Sequence, residues 1–254
     1  HVVVDDGALS ARLAGRAGVA LLPYNPDPPA AVISALTAFT ARGGRVIVCY
    51  SSSPALADLL DVELGHYKAF RAGGRWSAFR FSADTTLHVP RLLRQDSRNI
   101  RVALPLAERS RVIAEWLDPD LRPTGDPAWL QGRRGLWMTH VLLDDADEAA
   151  KARMLLGMIA SYDASVWPPA ARHILEQSSE LRPGQGFAAS LAELDALAAT
   201  ARDPGAVRRG AAAARELRER LQAWLAAGEY GRVVETAGLL SSELTRAFAL
   251  AQPA

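Results

Sequence analysis

Residues Phe39 to Leu60 read FTARGGRVIVCYSSSPALADLL, and this stretch decides the fold. Val46 to Cys49 is a short apolar run without polar alternation, the pattern of a strand buried on both faces. Gly43 and Gly44 ahead of it stop a preceding helix. Ser53 followed by Pro54 is a helix start: a hydroxyl that can cap free N–H groups, then a residue whose missing N–H does no harm in the first turn. Leu56, Leu59 and Leu60 continue at helical spacing. The segment reads helix, buried strand, helix.

The same alternation extends upstream. Val19 to Leu22 is another short apolar run, closed by the turn-forming Pro23, Tyr24, Asn25 and Pro26. Asp27 before Pro28 reads as an N-cap, and Val32, Leu36 and Phe39 recur on one helical face. Strands joined through crossover helices favour parallel pairing with right-handed connections. The expected fold class is therefore α/β: a flavodoxin-like, doubly wound, mainly parallel sheet over residues 1–162, with functional groups at the carboxyl ends of its strands. His1 to Val4 reads as an opening strand, and a chain that starts there without Met is expected to be part of a longer protein.

Downstream, from Gly65 to Leu143, the texture becomes β-rich. Gly73 and Gly74 lead into the alternating strand Arg75 to Phe81, and Val102 to Leu104, Val112 to Trp116 and Leu136 to Leu142 are further strands. Asp118 to Pro127 reads as a loop, and Arg133 with Arg134 between Gly132 and Gly135 as a hairpin turn. The region is expected to be a β-rich insertion plus the last core strand, with Trp76, Trp116, Trp129 and Trp137 in its core, the alternative for Trp129 being exposure in a loop. Asp144 to Glu148 places acids before a helix over Lys151 to Ile159, where the helix dipole favours negative charge.

Beyond Trp167 and the Pro168, Pro169 pair the composition turns rich in Ala, Leu, Glu and Arg, which predicts a C-terminal α-helical unit over residues 163–254. Three stripes support it: Phe187, Leu191, Leu194 and Leu197; Val207, Ala211, Ala214, Leu217, Leu221 and Trp224; Val233, Ala237, Leu240, Leu244 and Phe248. Asp203 with Pro204 starts the second helix, and Gly228 with Gly231 separates it from the third. Short connections predict antiparallel packing as a small bundle or hairpin.

Composition excludes several classes. The 29 Lys and Arg balance 28 Asp and Glu, so no overall attraction to nucleic acid or anionic membrane is expected, and the basic runs Arg91 to Arg101 and Arg208 to Arg220 read as solvated surface. Cys49 is the only cysteine, which rules out an intramolecular disulfide and a Cys-based metal cluster. His66, His88 and His173 lie in unrelated contexts, so no metal and no cofactor are expected. No apolar run reaches the roughly 18 residues of a membrane span.

At Cys49 the order of elements resembles that of class I glutamine amidotransferases. The resemblance implies a nucleophilic thiol at Cys49 and a catalytic His at His140, on the strand Leu136, Trp137, Met138, Thr139, His140. It also implies a glycine elbow around the thiol and a Glu two residues beyond the His, where this chain has Tyr50 and Ser51 and then Leu142. The triad is therefore incomplete. A substitute would need Asp144 or Asp145 as the acid, with Cys49 or Ser51 as nucleophile. A finer resemblance rests on PYNP at Pro23 to Pro26, on Phe39 to Leu60, and on GLWMTHVLLDDADEAAKARMLLGMI from Gly135 to Ile159. It is to the amidotransferase-like segment upstream of glycosyl-hydrolase-like family 10 barrels in bacterial carbohydrate-processing proteins. That implies a carbohydrate ligand and a downstream catalytic domain in the same polypeptide, with the helical tail as connector. Location would be extracytoplasmic if the parent carries a signal peptide and cytoplasmic otherwise.

The expected ligand-binding edge comprises Tyr24, Asn25, Tyr50, Ser51, Ser52, Ser53 and His140, because aromatic rings cover the apolar face of a sugar while hydroxyls and amides meet its polar groups. Competing readings make Tyr24 and Asn25 a turn and Cys49 a small buried hydrophobe. Three functions follow: a non-catalytic carbohydrate-binding or platform module, a Cys or Ser hydrolase or amidase, and an assembly module acting through the C-terminal helices.

Overall fold

A computed structural model describes Val3, Asp5 and residues 8–13, 18–70 and 75–252. The opening strand expected at residues 1–4 falls largely outside them. The chain divides into two compact units, His1–Asp163 and Ala164–Ala254.

The first unit contains, in order, α1 (Leu9–Leu13), β1 (Val19–Leu22), α2 (Ala30–Ala41), β2 (Arg45–Val48), α3 (Pro54–Leu59), β3 (Val62–Ala69), β4 (Trp76–Phe81), β5 (Leu92–Ser97), β6 (Asn99–Pro105), β7 (Ser110–Leu117), β8 (Pro123–Gly132), β9 (Gly135–Met138) and α4 (Glu148–Ala160). Seven strands form one sheet in the order β1-β2-β9-β8-β7-β4-β5, while β3 and β6 form a separate pair.

This corrects the expected mainly parallel, doubly wound, flavodoxin-like sheet. Only β1 with β2 and β2 with β9 are parallel; β9, β8, β7, β4 and β5 pair antiparallel throughout. The physical reason is the connections. A parallel neighbour needs a long crossover, and α2 supplies one between β1 and β2, but α3 leads instead into β3, which pairs with β6 outside the main sheet. Arg133 and Arg134 form a two-residue turn between the paired Gly132 and Gly135, and so tight a turn forces β8 antiparallel to β9. What reads as an insertion is the greater part of the sheet.

Both faces of β2 are covered. Along β2, Val46 and Val48 join a core with Val32, Leu36 and Phe39 of α2 and Leu56 of α3, while Ile47 and the following Cys49 join one with Trp116, Met138 and, from α4, Met154 and Met158. That period-two split explains why the run is apolar throughout. Glycine is required where β9 begins: a Cβ on Gly135 would lie 1.7 Å from the carbonyl oxygen of Val46.

Three local readings are revised. α2 starts at Ala30, capped by Pro29 without a side-chain bond, because Asp27 precedes two prolines that have no N–H to offer it. The expected loop Asp118 to Pro127 already contains the start of β8, which carries the fully buried Trp129, and β9 ends at Met138 rather than Leu142. The acids before α4 do lie at its N-terminus, Asp147 in the cap position without a side-chain cap bond and Glu148 in the first turn, and two of them also reach the sheet. Asp145 accepts from the backbone N–H of Asp96 at 2.7 Å and Asp147 from that of Arg94 at 2.7 Å, so they satisfy donors along β5, the edge of the sheet.

In the second unit a 3-10 turn, Ala164–Val166, precedes α5 (Trp167–Ser178), α6 (Phe187–Ala198), α7 (Pro204–Ala226) and α8 (Tyr230–Ala251). Asp203 caps α7, accepting from the Ala206 N–H at 2.9 Å. Val207, Ala211, Ala214 and Leu221 are buried, as are Val233, Ala237, Leu240 and Leu244 of α8. The two long helices approach so closely that a Cβ on Gly210 would sit 2.7 Å from that of Ala247.

Candidate functional site

Because β1 and β2 are parallel neighbours, the chain leaves both at the same end, and the two exits are stitched together. The Cys49 N–H donates to the Leu22 carbonyl at 2.9 Å, that of Asn25 to the Tyr50 carbonyl at 3.3 Å, and that of Ser52 to the Pro26 carbonyl at 2.8 Å. The Pro26 carbonyl also accepts from Ser52 Oγ at 2.8 Å and Ser51 Oγ at 3.2 Å. Ser51 Oγ in turn accepts from the Ser53 N–H at 3.1 Å, and Ser53 Oγ caps α3 through the Leu56 N–H at 3.4 Å. The three serines thus act as fasteners. What they hold up is a pair of rings: Tyr24 and Tyr50 stack with centroids 5.9 Å apart and planes inclined by 17°. Tyr24 is 62% exposed, and Tyr50 is partly buried.

The β3–β6 ladder adjoins this ledge. Tyr67 on β3 stands directly opposite Arg101 on β6, which places both side chains on one face of the ladder. The Arg101 N–H donates to the Thr139 carbonyl at 2.9 Å, just past the end of β9, so the ladder is tied to the carboxyl end of the parallel strands. Burial pushes the Tyr50 phenol above its ordinary range, the neighbouring Tyr67 and Tyr24 add to this, and Arg101 opposes it. Tyr24, Tyr67 and Arg101 therefore all lie within electrostatic reach of Tyr50. Tyr67 is 51% exposed, while Arg101 Nε is buried and, among the described residues, has no hydrogen-bond partner.

The residues expected to carry catalysis are not brought together. Cys49 is only 2% exposed, and burial pushes its thiol up to about 12, so it carries no thiolate at neutral pH. His140 is buried against Trp116 and the β5 side chains Gln95 and Ser97. Its Nδ1 lies 2.8 Å from the Val141 carbonyl, which can only accept, so the proton is assigned to Nδ1. Gln95 fixes the same corner, donating from Nε2 to Ser97 Oγ at 3.0 Å and to the Val141 carbonyl at 2.9 Å. Burial lowers the His140 pKa, with the Val141 carbonyl and the charge of Asp145 opposing, which leaves a neutral ring.

No bond joins His140 to Cys49 or Ser51 among the described residues. Asp144 is exposed, and Asp145 is committed to Lys151, 3.0 Å away, as well as to the Asp96 N–H. A nucleophile, a base and an orienting acid need mutual hydrogen bonds, and this arrangement supplies none of them. Sequence reasoning also missed Gln95 and Ser97 as the partners of His140, and Tyr67 and Arg101 as members of the ledge. The signal for Arg101 was its place between the apolar Ile100 and Val102, which sets it on the opposite face of a strand from two buried neighbours.

Other buried charges are structural. Asp61 takes two side-chain bonds from Arg133, at 3.0 and 3.2 Å, and Asp126 bridges Lys68 and the Trp76 indole. Among the described residues no group of three His, Cys, Asp or Glu converges as a metal site would, and no helix is long and apolar enough to cross a membrane. A concavity of about 370 Å³ lies over β4 and β7, lined by Arg80, Phe81, Arg91, Val112 and Glu115. Its charged members are already engaged: Arg80 pairs with Glu115 at 2.7 Å and Arg91 donates to the Ser82 carbonyl. No protein-family model matches the chain, and no curated protein matches it.

Proposed function

We propose that the first unit is a non-catalytic recognition module whose Tyr24–Tyr50 ledge binds carbohydrate in the service of a larger carbohydrate-processing protein. The observation that carries this reading is the stacked tyrosine pair, Tyr24 exposed and Tyr50 partly buried, on two loops fixed by inter-loop hydrogen bonds. A rigid ring surface suits the apolar face of a sugar because little conformational freedom is lost on binding. The resemblance of PYNP and of the Phe39 to Leu60 segment to accessory regions of carbohydrate-processing proteins gives the ledge its ligand class. A hydrolase reading lacks support, since Cys49 is buried and protonated and Ser51 is bonded to Pro26 and Ser53. Probing a glycan array with the wild-type chain and with the Tyr24→Ala, Tyr50→Ala double variant tests it. Binding by the wild type that the double variant loses is expected; no wild-type binding, or binding indifferent to both rings, overturns the proposal.

A further inference from the structure

Arg101 differs from three other cations of the first unit, two of which reach buried carboxylates while the third is itself buried and paired. Lys68 meets Asp126 at 2.5 Å, Arg133 meets Asp61 at 3.0 Å and Lys151 meets Asp145 at 3.0 Å. Arg101 has no ion pair and no side-chain hydrogen bond among the described residues, although its Nε is buried. A guanidinium carries five donors and never deprotonates, so leaving it half withdrawn from water without an acceptor is unfavourable unless something else supplies one. Its surroundings are the rings of Tyr67, directly opposite across the ladder, and Tyr50, with Tyr24 stacked beyond.

From this juxtaposition we infer that the ledge selects carboxylate-bearing saccharides, with Arg101 receiving the carboxylate of a uronic acid while the tyrosines take the ring faces. The inference rests on the carbohydrate reading of the ledge and deepens it. The planar fork of a guanidinium matches a carboxylate through two parallel hydrogen bonds, and such charge-assisted pairs are stronger than the neutral bonds a sugar hydroxyl would make. The backbone of Arg101 is fixed by the β3–β6 ladder and by the bond to Thr139, which sets the side chain on the face of the ladder that Tyr67 occupies. Tyr67 belongs to the same subsite: half exposed and on the same face of the ladder as Arg101, it offers a further ring to the saccharide.

The test measures binding of the full chain to oligosaccharides of galacturonate, glucuronate and mannuronate, each beside its fully methyl-esterified counterpart, by calorimetry. At least one acid form is expected to bind about tenfold or more tightly than its ester, the size of a charge-assisted hydrogen bond, and to weaken with added salt. Arg101→Gln is expected to abolish the difference between acid and ester, both measured on the same variant, while Arg101→Lys keeps part of it; circular dichroism confirms that both variants fold. Equal binding of every acid and ester, or an acid preference that survives Arg101→Gln, overturns the inference and leaves the carbohydrate reading standing if neutral glycans bind. Absence of binding to acids, esters and neutral glycans alike overturns both.

Discussion

Asp61 offers the sharpest test of how the unit is held together. It follows α3 with φ of 59°, in the left-handed region, and its carboxylate accepts from the N–H, Nε and Nη2 of Arg133 in the β8–β9 turn at 3.0 to 3.3 Å. Its carbonyl accepts from Ser110 Oγ at 2.5 Å, at the start of β7. One residue therefore joins three segments. Replacement by Ala removes the carboxylate, a loss of about 1 to 2 kcal/mol once the exposure of Arg133 is allowed for, and places a Cβ residue without a local acceptor at positive φ, about another 1 kcal/mol. Asp61→Asn tolerates that backbone and keeps one acceptor, so about 1 kcal/mol is expected instead.

Urea melts followed by the fluorescence of the fully buried Trp76, Trp116, Trp129 and Trp137, in a background with Trp167→Phe and Trp224→Phe in the second unit, report on the first unit. For a unit of this size the Ala variant should also melt roughly 5 to 10 °C lower. Burial alone would raise the Asp61 carboxyl, but the bonds and charge of Arg133, helped by Arg109, hold it below the usual carboxylate range. A depressed carboxyl stabilises above its unfolded value, about 3.9, and the contribution is lost as pH falls through the folded value. The gap between wild type and Ala should therefore be full at neutral pH and narrow below about pH 4. Variants within about 0.5 kcal/mol of wild type, or an Asn variant as unstable as Ala, refute the reasoning.

Cys49 is expected to resist thiol reagents in the native chain and to react fully in urea; rapid native labelling that His140→Ala abolishes would instead revive a thiol–imidazole pair. His140 is buried neutral with a lowered pKa, so stability should fall as pH drops below the unfolded value of about 6.5, and His140→Gln should flatten that slope between pH 7 and 5; an unchanged slope contradicts the burial argument. Gly135→Ala, with its Cβ 1.7 Å from the Val46 carbonyl oxygen, should cost at least about 3 kcal/mol or abolish folding, and a variant of wild-type stability in urea would show that β2 and β9 can part.

Local signals were legible where a residue acts on its own backbone. Ser53 and Asp203 cap the helices their sequence positions announce, and the apolar run at Val46 and the stripes of α7 and α8 lie where periodicity puts them. Pairing partners were not, because a strand does not record its neighbour. β2 looks the same whether its sheet continues parallel or antiparallel, and the one local clue, Arg133 and Arg134 between two glycines, marks a turn whose consequence is global. β3 and β5 were missed since exposed Glu63, His66 and Tyr67, and Arg94 with Asp96, break up the apolar pattern. The acids at Asp145 and Asp147 were legible only against their own helix, whereas they also bond the edge of β5, some fifty residues earlier.

At the site, Tyr24, Asn25, Tyr50 and the serines could be grouped from the sequence because two parallel strands deliver them to one end. Tyr67 and Arg101 come from a ladder the sequence did not disclose. His140 shares its strand end with them in sequence terms, yet Gln95, a buried polar residue on a strand without a recognisable pattern, claims it.

The most direct measurement of the central claim is a two-dimensional NMR titration of ring-labelled tyrosine with the oligosaccharide selected on the glycan array. The account predicts that the resonances of Tyr24, Tyr50 and Tyr67 move together along one binding curve while that of Tyr162, packed against the opposite core, stays still. Binding that leaves those three unmoved, with changes confined to residues lining the concavity over β4 and β7, would contradict it.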